Sequence, residues 1–92
     1  MKRSRLEICI DVLKAIKKGC KKPTRIMYSS NISWIPLNEI LNFLVNQNAV
    51  IVKQTGKKKE YYITNRGEEI LEYYEQFKSK LARMHRESPS LK

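Results

Sequence analysis

Residues 49–64, AVIVKQTGKKKEYYIT, interrupt a chain whose other apolar residues recur at helical spacing. β-Branched and aromatic residues fill both ends of this segment, and Gly56 lies between them, which is typical of a β-hairpin. Three lysines follow the glycine: Lys57, Lys58 and Lys59. Because side chains alternate along a strand, we expect Tyr61 and Ile63 to face the core and Tyr62 to face outward. A single hairpin must therefore be accommodated in a mainly helical fold.

The first helix is predicted over residues 4–19. Ser4 and Glu7 have the spacing of a capping box, and Gly19 is placed to end the helix. Its apolar residues recur three or four positions apart and form one face: Leu6, Cys9, Ile10, Leu13 and Ile16.

Two further helices precede the hairpin. The second begins at Pro23 or Thr24, and the third begins after Ser33, which is a good N-cap residue. One face of the third helix is predicted to be buried: Leu37, Ile40, Leu41 and Leu44. The opposite face carries mostly uncharged side chains: Ile35, Asn38, Glu39, Asn42 and Asn46.

A long final helix is predicted over residues 65–87, capped by Thr64 or Asn65, and residues 88–92 are predicted to be a disordered tail. Its apolar residues are spaced 4, 3, 4 and 3, which is a heptad seam: Ile70, Tyr74, Phe77, Leu81 and Met84. The helix would be ~35 Å long, more than a small domain needs. The first half of the seam could pack against the first helix, whereas the second half indicates self-pairing into a homodimer.

The predicted order of elements is that of a winged helix-turn-helix, mainly α with a small β-hairpin. We expect residues 1–64 to form the DNA-binding domain and residues 65–87 the coiled-coil dimerisation helix. In such an arrangement the third helix lies in the major groove. The hairpin tip lies against a neighbouring stretch of backbone or the minor groove.

Positive charge is concentrated in the first two thirds of the chain. The formal net charge is +10, and all of the excess falls within residues 1–59, while residues 60–92 are balanced. This distribution favours a polyanion-binding surface over a merely solubilising one.

The candidate phosphate contacts form two groups, and each has a plainer alternative. The lysines at positions 57–59 are either a phosphate clamp or a solvated loop that discourages edge pairing. The start of the second helix is either a phosphate site or a solubilising loop, and its candidates are Lys21, Lys22, Thr24 and Arg25. A third possibility is a mobile N-terminal arm in a groove, formed by Lys2, Arg3 and Arg5.

Five residues of the third helix are candidates for further DNA contacts. Ser33 is first a cap and second a phosphate contact, while Trp34 either packs partly on the core or lies against the sugar–phosphate backbone. Asn38 and Asn42 have the chemistry to pair with adenine, and Ile35 to touch a thymine methyl, although outward asparagine is also ordinary surface. Glu39 would repel phosphate.

Three segments together resemble the archaeal winged-helix proteins of the small, basic, chromatin-associated kind: RSRLEICIDVLKAI, KPTRIMYSSNISW and YYITNRGEEILEYYEQF. The resemblance covers roughly residues 3–80. It implies a winged helix with a C-terminal antiparallel coiled coil that forms a homodimer. It also implies binding of double-stranded DNA in nucleoid organisation or transcriptional regulation. That family often has longer or basic residues on the third helix, and their lack here predicts weak sequence reading.

Other functional classes have less support. No apolar run approaches the ~18 residues of a transmembrane helix, so we expect a cytoplasmic, nucleoid-associated protein. Cys9 and Cys20 lack a zinc-ligand spacing and are expected to be buried thiols. No nucleophile–base pair or phosphate-binding glycine loop is recognisable. We therefore expect that the protein is not an enzyme and that it binds no metal, cofactor or small-molecule ligand. An RNA-binding winged helix, or an adaptor that uses its long helix on another protein, remains an alternative.

Overall fold

Four helices and one hairpin follow one another in the predicted order. The computed structural model describes residues 3–87, with side chains described through residue 84. The elements are α1 (Arg5–Lys17), α2 (Pro23–Ser30), α3 (Trp34–Asn46), β1 (Val50–Thr55), β2 (Lys58–Ile63) and α4 (Asn65–Glu87). The predicted fold class, a mainly helical winged helix with a long C-terminal helix, is confirmed. Lys2 and the predicted tail at residues 88–92 lie outside the described residues.

Helix α1 begins and ends as its sequence predicts. The Ser4 hydroxyl accepts the Glu7 N–H at 3.1 Å, and the Glu7 carboxylate accepts the Ser4 N–H at 2.7 Å. This reciprocal capping box satisfies two amides that the helix itself leaves without acceptors. After Lys18, Gly19 adopts φ +113°, a backbone conformation that other residues rarely take, and the helix stops.

The core lies between α1, α2, α3 and the base of the hairpin. Its buried apolar residues are Ile10, Val12, Leu13, Ala15, Ile16, Ile26, Leu37, Ile40, Leu41, Leu44, Ala49, Val50, Tyr61 and Leu71. The predicted inward face of α3 is therefore confirmed, as is the inward orientation of Tyr61. Leu6, in contrast, is 61% exposed, so the first turn of α1 extends beyond the core.

The two cysteines are less buried than the sequence predicts. Cys9 and Cys20 are free thiols that are only partly buried at the margin of the core. Burial raises the pKa of the Cys9 thiol, while the nearby Arg5 partly opposes the shift. The thiolate form of Cys9 is therefore scarcer than for an exposed cysteine.

Strands β1 and β2 form an antiparallel pair with Val50 opposite Ile63 and Thr55 opposite Lys58. The connecting turn is only Gly56 and Lys57, with Gly56 at φ +62°. Consequently Lys58 already belongs to β2, and the next residue points to the opposite face. The lysines at 57–59 are therefore divided between the turn and both faces of the strand end.

Helix α4 is anchored at its start by close backbone contact. The Thr64 hydroxyl accepts the Gly67 N–H at 3.1 Å and donates to the Asn48 carbonyl at 2.6 Å. A Cβ on Gly67 would collide with the Ala49 carbonyl oxygen and the Ile63 side chain. Only glycine lets the helix pass this close to the start of the hairpin.

The distal half of α4 projects from the rest of the molecule. The principal extents are 59 × 29 × 20 Å, and the radius of gyration is 15.4 Å. A compact chain of this length would have a radius of about 12 Å. Among residues 3–87, no helix combines the length and the apolar character needed to cross a bilayer.

Candidate nucleic-acid interface

The start of α2 is an exposed, positively charged helix end. Lys22 occupies the N-cap position without a side-chain capping bond, and Pro23 follows in the first turn. The first backbone N–H groups of a helix have no intrahelical acceptor, and the helix dipole is positive there. Thr24 and Arg25 are exposed beside them. This end therefore has the donors and the charge that a phosphate requires.

Lys21 joins the α2 end to the hairpin. The Tyr61 N–H donates to the Lys21 carbonyl at 2.9 Å, so the loop before α2 runs along the edge of β2. The ammonium nitrogen of Lys21 lies 5.7 Å from the centre of the Tyr62 ring, and the ammonium nitrogen of Lys53 lies 5.2 Å from the same centre. Both distances are within cation–π range. The Tyr62 ring thus holds two cations near each other.

The Tyr62 hydroxyl is fixed as well. It donates to the Glu60 carboxylate at 2.7 Å, and this hydrogen bond raises the pKa of Tyr62. The outward orientation predicted for Tyr62 agrees with its partial exposure. The cluster that it forms with Lys21 and Lys53 was not predicted. Strand alternation places Lys53 and Tyr62 on one face, but the position of the loop is set by tertiary packing.

A cleft separates the wing tip from the helix-turn-helix. It has a volume of about 410 Å³ and is lined by Lys22, Pro23, Thr24, Trp34, Lys57, Lys58, Lys59 and Glu60. Residues from both predicted phosphate groups and the first residue of α3 therefore meet at one surface. Four lysines and one carboxylate give this cleft a positive charge. We refer to it below as the wing cleft.

The exposed face of α3 differs in part from the predicted one. Ile35 is 72% exposed and Trp34 48%, and Asn42 is also exposed, whereas Asn38 is partly buried. Asn38 is therefore less available to a base edge than the helical wheel indicates. Ser33 occupies the predicted N-cap position, but its hydroxyl makes no capping hydrogen bond.

Glu39 on this face has a cationic neighbour. An Arg5 guanidinium nitrogen lies 3.6 Å from a Glu39 carboxylate oxygen, and both side chains are well exposed. An exposed pair of this kind contributes little to stability. It does reduce the repulsion that Glu39 would exert on a phosphate.

Arg3 is held by contacts within the fold, so the possibility of a mobile arm does not apply to this residue. Its guanidinium donates to the Asp11 carboxylate at 2.8 Å, the Ser30 carbonyl at 2.7 Å and the Asn31 carbonyl at 2.6 Å. Asn31 lies at the turn after α2 and adopts the left-handed conformation. The arginine therefore ties the start of α1 to the turn of the helix-turn-helix.

The predicted seam of α4 divides into two parts. Ile70 and Tyr74 pack against the core of their own domain. The exposed members lie further along the helix: Phe77 (62% exposed), Leu81 (48%) and Met84 (59%). Tyr73 is 70% exposed and extends this apolar stripe by one turn. The heptad spacing runs through Tyr74 and leaves Tyr73 out, so the sequence did not predict that Tyr73 belongs to the stripe.

A second, larger cleft of about 610 Å³ lies between α1 and α4. It is lined by Lys14, Lys17, Asn65, Glu68, Glu69, Leu71, Glu72 and Glu75. Lys14 donates to Glu75 at 3.0 Å, and this bond lowers the pKa of Glu75 and raises that of Lys14.

No group of three or more side chains suited to hold a metal ion occurs among the described residues.

Two proteins of known sequence are similar to this chain. A Methanocaldococcus jannaschii protein, MJ0287, is 33% identical over 69 residues, covering 75% of this chain and 67% of its own. A second protein of that organism, MJ0290, is 34% identical over 76 residues. The match covers 83% of this chain but only 34% of the length of MJ0290.

Among solved structures, Sso10a-2, a DNA-binding protein from Sulfolobus solfataricus, superposes with a TM-score of 0.81 at 24% identity. The superposition covers 97% of this chain and 93% of that one. The profile of the winged helix-turn-helix family matches residues 2–82. This match extends over most of the chain, and the chain belongs to the winged helix-turn-helix family.

Proposed function

We propose that this protein binds double-stranded DNA as a homodimer and acts in transcriptional regulation or nucleoid organisation. The observation that carries the proposal is the wing cleft, where the start of α2, the start of α3 and the wing tip meet. These are the parts through which a winged helix approaches a duplex. The description of the similar Sso10a-2 as a DNA-binding protein supports the same function.

Phosphate contacts supply most of the proposed affinity. Six exposed cations surround or adjoin the wing cleft: Lys21, Lys22, Arg25, Lys57, Lys58 and Lys59. Each cation that neutralises a phosphate releases condensed counterions, and this gain does not depend on base sequence. Helix α3, Trp34–Asn46, contains no lysine or arginine. We therefore propose that α3 enters the major groove mainly by shape, with Ile35 and Asn42 as its available base contacts.

Dimerisation through α4 supports this mode of binding. An exposed apolar stripe on the projecting part of a helix is unfavourable in water, and a second copy of the stripe would cover it. Two linked winged domains double the number of phosphate contacts and raise the affinity through the effective concentration of the second domain.

The proposal is tested by fluorescence anisotropy with labelled duplexes. We expect tight binding to random and genomic duplex DNA, with no site preferred by more than about 10³, the low end for specific proteins. An RNA duplex of the same sequence should bind more weakly. Equal or stronger binding to RNA would indicate an RNA-binding module instead. A monomer with negligible DNA affinity would indicate a protein-interaction adaptor.

A further inference from the structure

The wing cleft contains the one tryptophan of the chain. Trp34 is 48% exposed, so about half of its surface is open to a ligand. The other walls carry Lys22 and the three lysines at positions 57–59. The cleft thus combines an accessible indole ring with several cations.

An intact duplex cannot use this combination fully. Its bases are stacked on one another, so they present only their edges in the grooves. An indole can lie against the sugar–phosphate backbone, but a ring-to-ring stack requires a base that has left the helix. The chemistry of the wing cleft is therefore better matched to an unpaired nucleotide than to a paired one.

We propose that the wing cleft binds one unpaired nucleotide, whose base stacks on Trp34 while its phosphate lies among Lys22 and the wing lysines. The inference rests on the proposed function, because it assumes that this surface meets nucleic acid. It goes beyond that function by assigning a preference for gaps, strand ends or extruded bases.

The size and charge of the cleft fit such a ligand. Its volume of about 410 Å³ falls within the range of about 300–1,000 Å³ of small-ligand sites. The one carboxylate of the lining, Glu60, accepts a hydrogen bond from Tyr62. That bond occupies one carboxylate oxygen, and the four lysines of the lining outnumber the single carboxylate, so the cleft stays positively charged.

The emission of Trp34 provides a direct test, because no other tryptophan contributes to the signal. The protein is titrated with an intact duplex, with the same duplex carrying a short single-stranded gap, and with adenosine monophosphate. We expect the gapped duplex to quench the emission more strongly than the intact one. We also expect it to bind at least about 5-fold more tightly, the low end of what one stacked base contributes.

Substitutions then assign the preference to the ring. In anisotropy assays with labelled DNA, Trp34→Leu should abolish the gap preference, and Trp34→Phe should retain part of it. Phe43→Leu is the matched control, because Phe43 is a half-exposed aromatic residue of α3 outside the cleft. It should leave the preference unchanged.

The outcomes separate this inference from the proposed function. Equal affinity for gapped and intact duplexes, with equal emission of Trp34, would overturn the inference and leave duplex binding standing. Failure to bind either duplex would overturn both. Saturable quenching by adenosine monophosphate, together with a gap preference, would show that the cleft accepts a nucleotide from either source. Quenching by the free nucleotide without a gap preference would also overturn the inference, because the cleft would then not take an unpaired nucleotide of a DNA strand.

Discussion

Removing the wing-tip charge should halve the salt dependence of DNA binding. Replacing Lys57, Lys58 and Lys59 with glutamine eliminates three of the six cations assigned to phosphate contacts. Each contact contributes about −0.9 to the slope of log affinity against log salt concentration. Six contacts in one domain give a slope of about −5, and three give about −3. The ratio is the same whether one domain or both domains of a dimer are engaged.

The difference is large enough to measure. Between 50 and 200 mM salt, six contacts imply a loss of affinity of about 2,000-fold, whereas three imply about 40-fold. The assay is fluorescence anisotropy with a labelled random duplex over that range of salt. All sequences should be affected alike, because a phosphate contact carries no base information.

A charge-matched control separates the effect of the wing lysines from the effect of a lower net charge. Lys78, Lys80 and Arg83 are exposed cations on the projecting part of α4, and replacing all three with glutamine removes the same charge elsewhere. This control should keep the wild-type slope, provided that sedimentation gives the same oligomeric state. A wing variant with an unchanged slope, or with a loss confined to one DNA sequence, would refute the assignment of phosphate contacts.

Three further outcomes follow from α4. Leu81→Glu should convert the proposed dimer to monomers in sedimentation equilibrium, whereas Ser79→Glu, which adds the same charge at a polar position, should not. An intact dimer in both variants would exclude the stripe as the dimer interface. Gly67→Ala should lower the free energy of unfolding by about 1–3 kcal/mol in urea titrations, because a methyl group would collide with the backbone before β1. The hydrogen bond from Lys14 lowers the pKa of Glu75 from its ordinary value of 4.5. The stability that this bond adds to the fold is therefore present above pH 4.5 and is lost as the pH falls through the lowered pKa. Glu75→Gln should therefore lose less thermal stability than the wild type on acidification below pH 4.5, and equal losses would contradict this linkage.

The order of the elements was predictable because periodicity and capping agree along the chain. The face of α3 that carries Leu37 and Leu41 is apolar enough to fix its orientation, and the alternation around Tyr61 fixes that of the hairpin. The docking of α4 was less predictable. A heptad spacing includes Ile70 but not Leu71, and the structure places Leu71 in the core.

The sequence predicted most of the residues of the candidate interface, but only part of their arrangement in space. The cations at the start of α2 and at the wing tip were identified from their place in a winged helix, and the structure brings them to one cleft. The contacts of Arg3 were not predictable, because nothing in the sequence around it indicates which acceptors it meets. Two of its three acceptors, the carbonyls of Ser30 and Asn31, lie 27 and 28 positions away. The contact of Lys21 with Tyr62 is likewise a product of tertiary packing.

The arginine that joins α1 to the turn has a consequence for the thermodynamics of binding. Arg3 donates to the turn between α2 and α3, and Asn31 holds it in a left-handed conformation, so the turn is ordered without DNA. A DNA-binding domain whose turn is already ordered loses little conformational entropy on binding, in contrast to a segment that folds only on its target. Ordering of the protein then offsets only a small part of the entropy gained from the released counterions. Association of this helix pair with a duplex should accordingly be driven by entropy, with a heat-capacity change no larger than the buried surface accounts for.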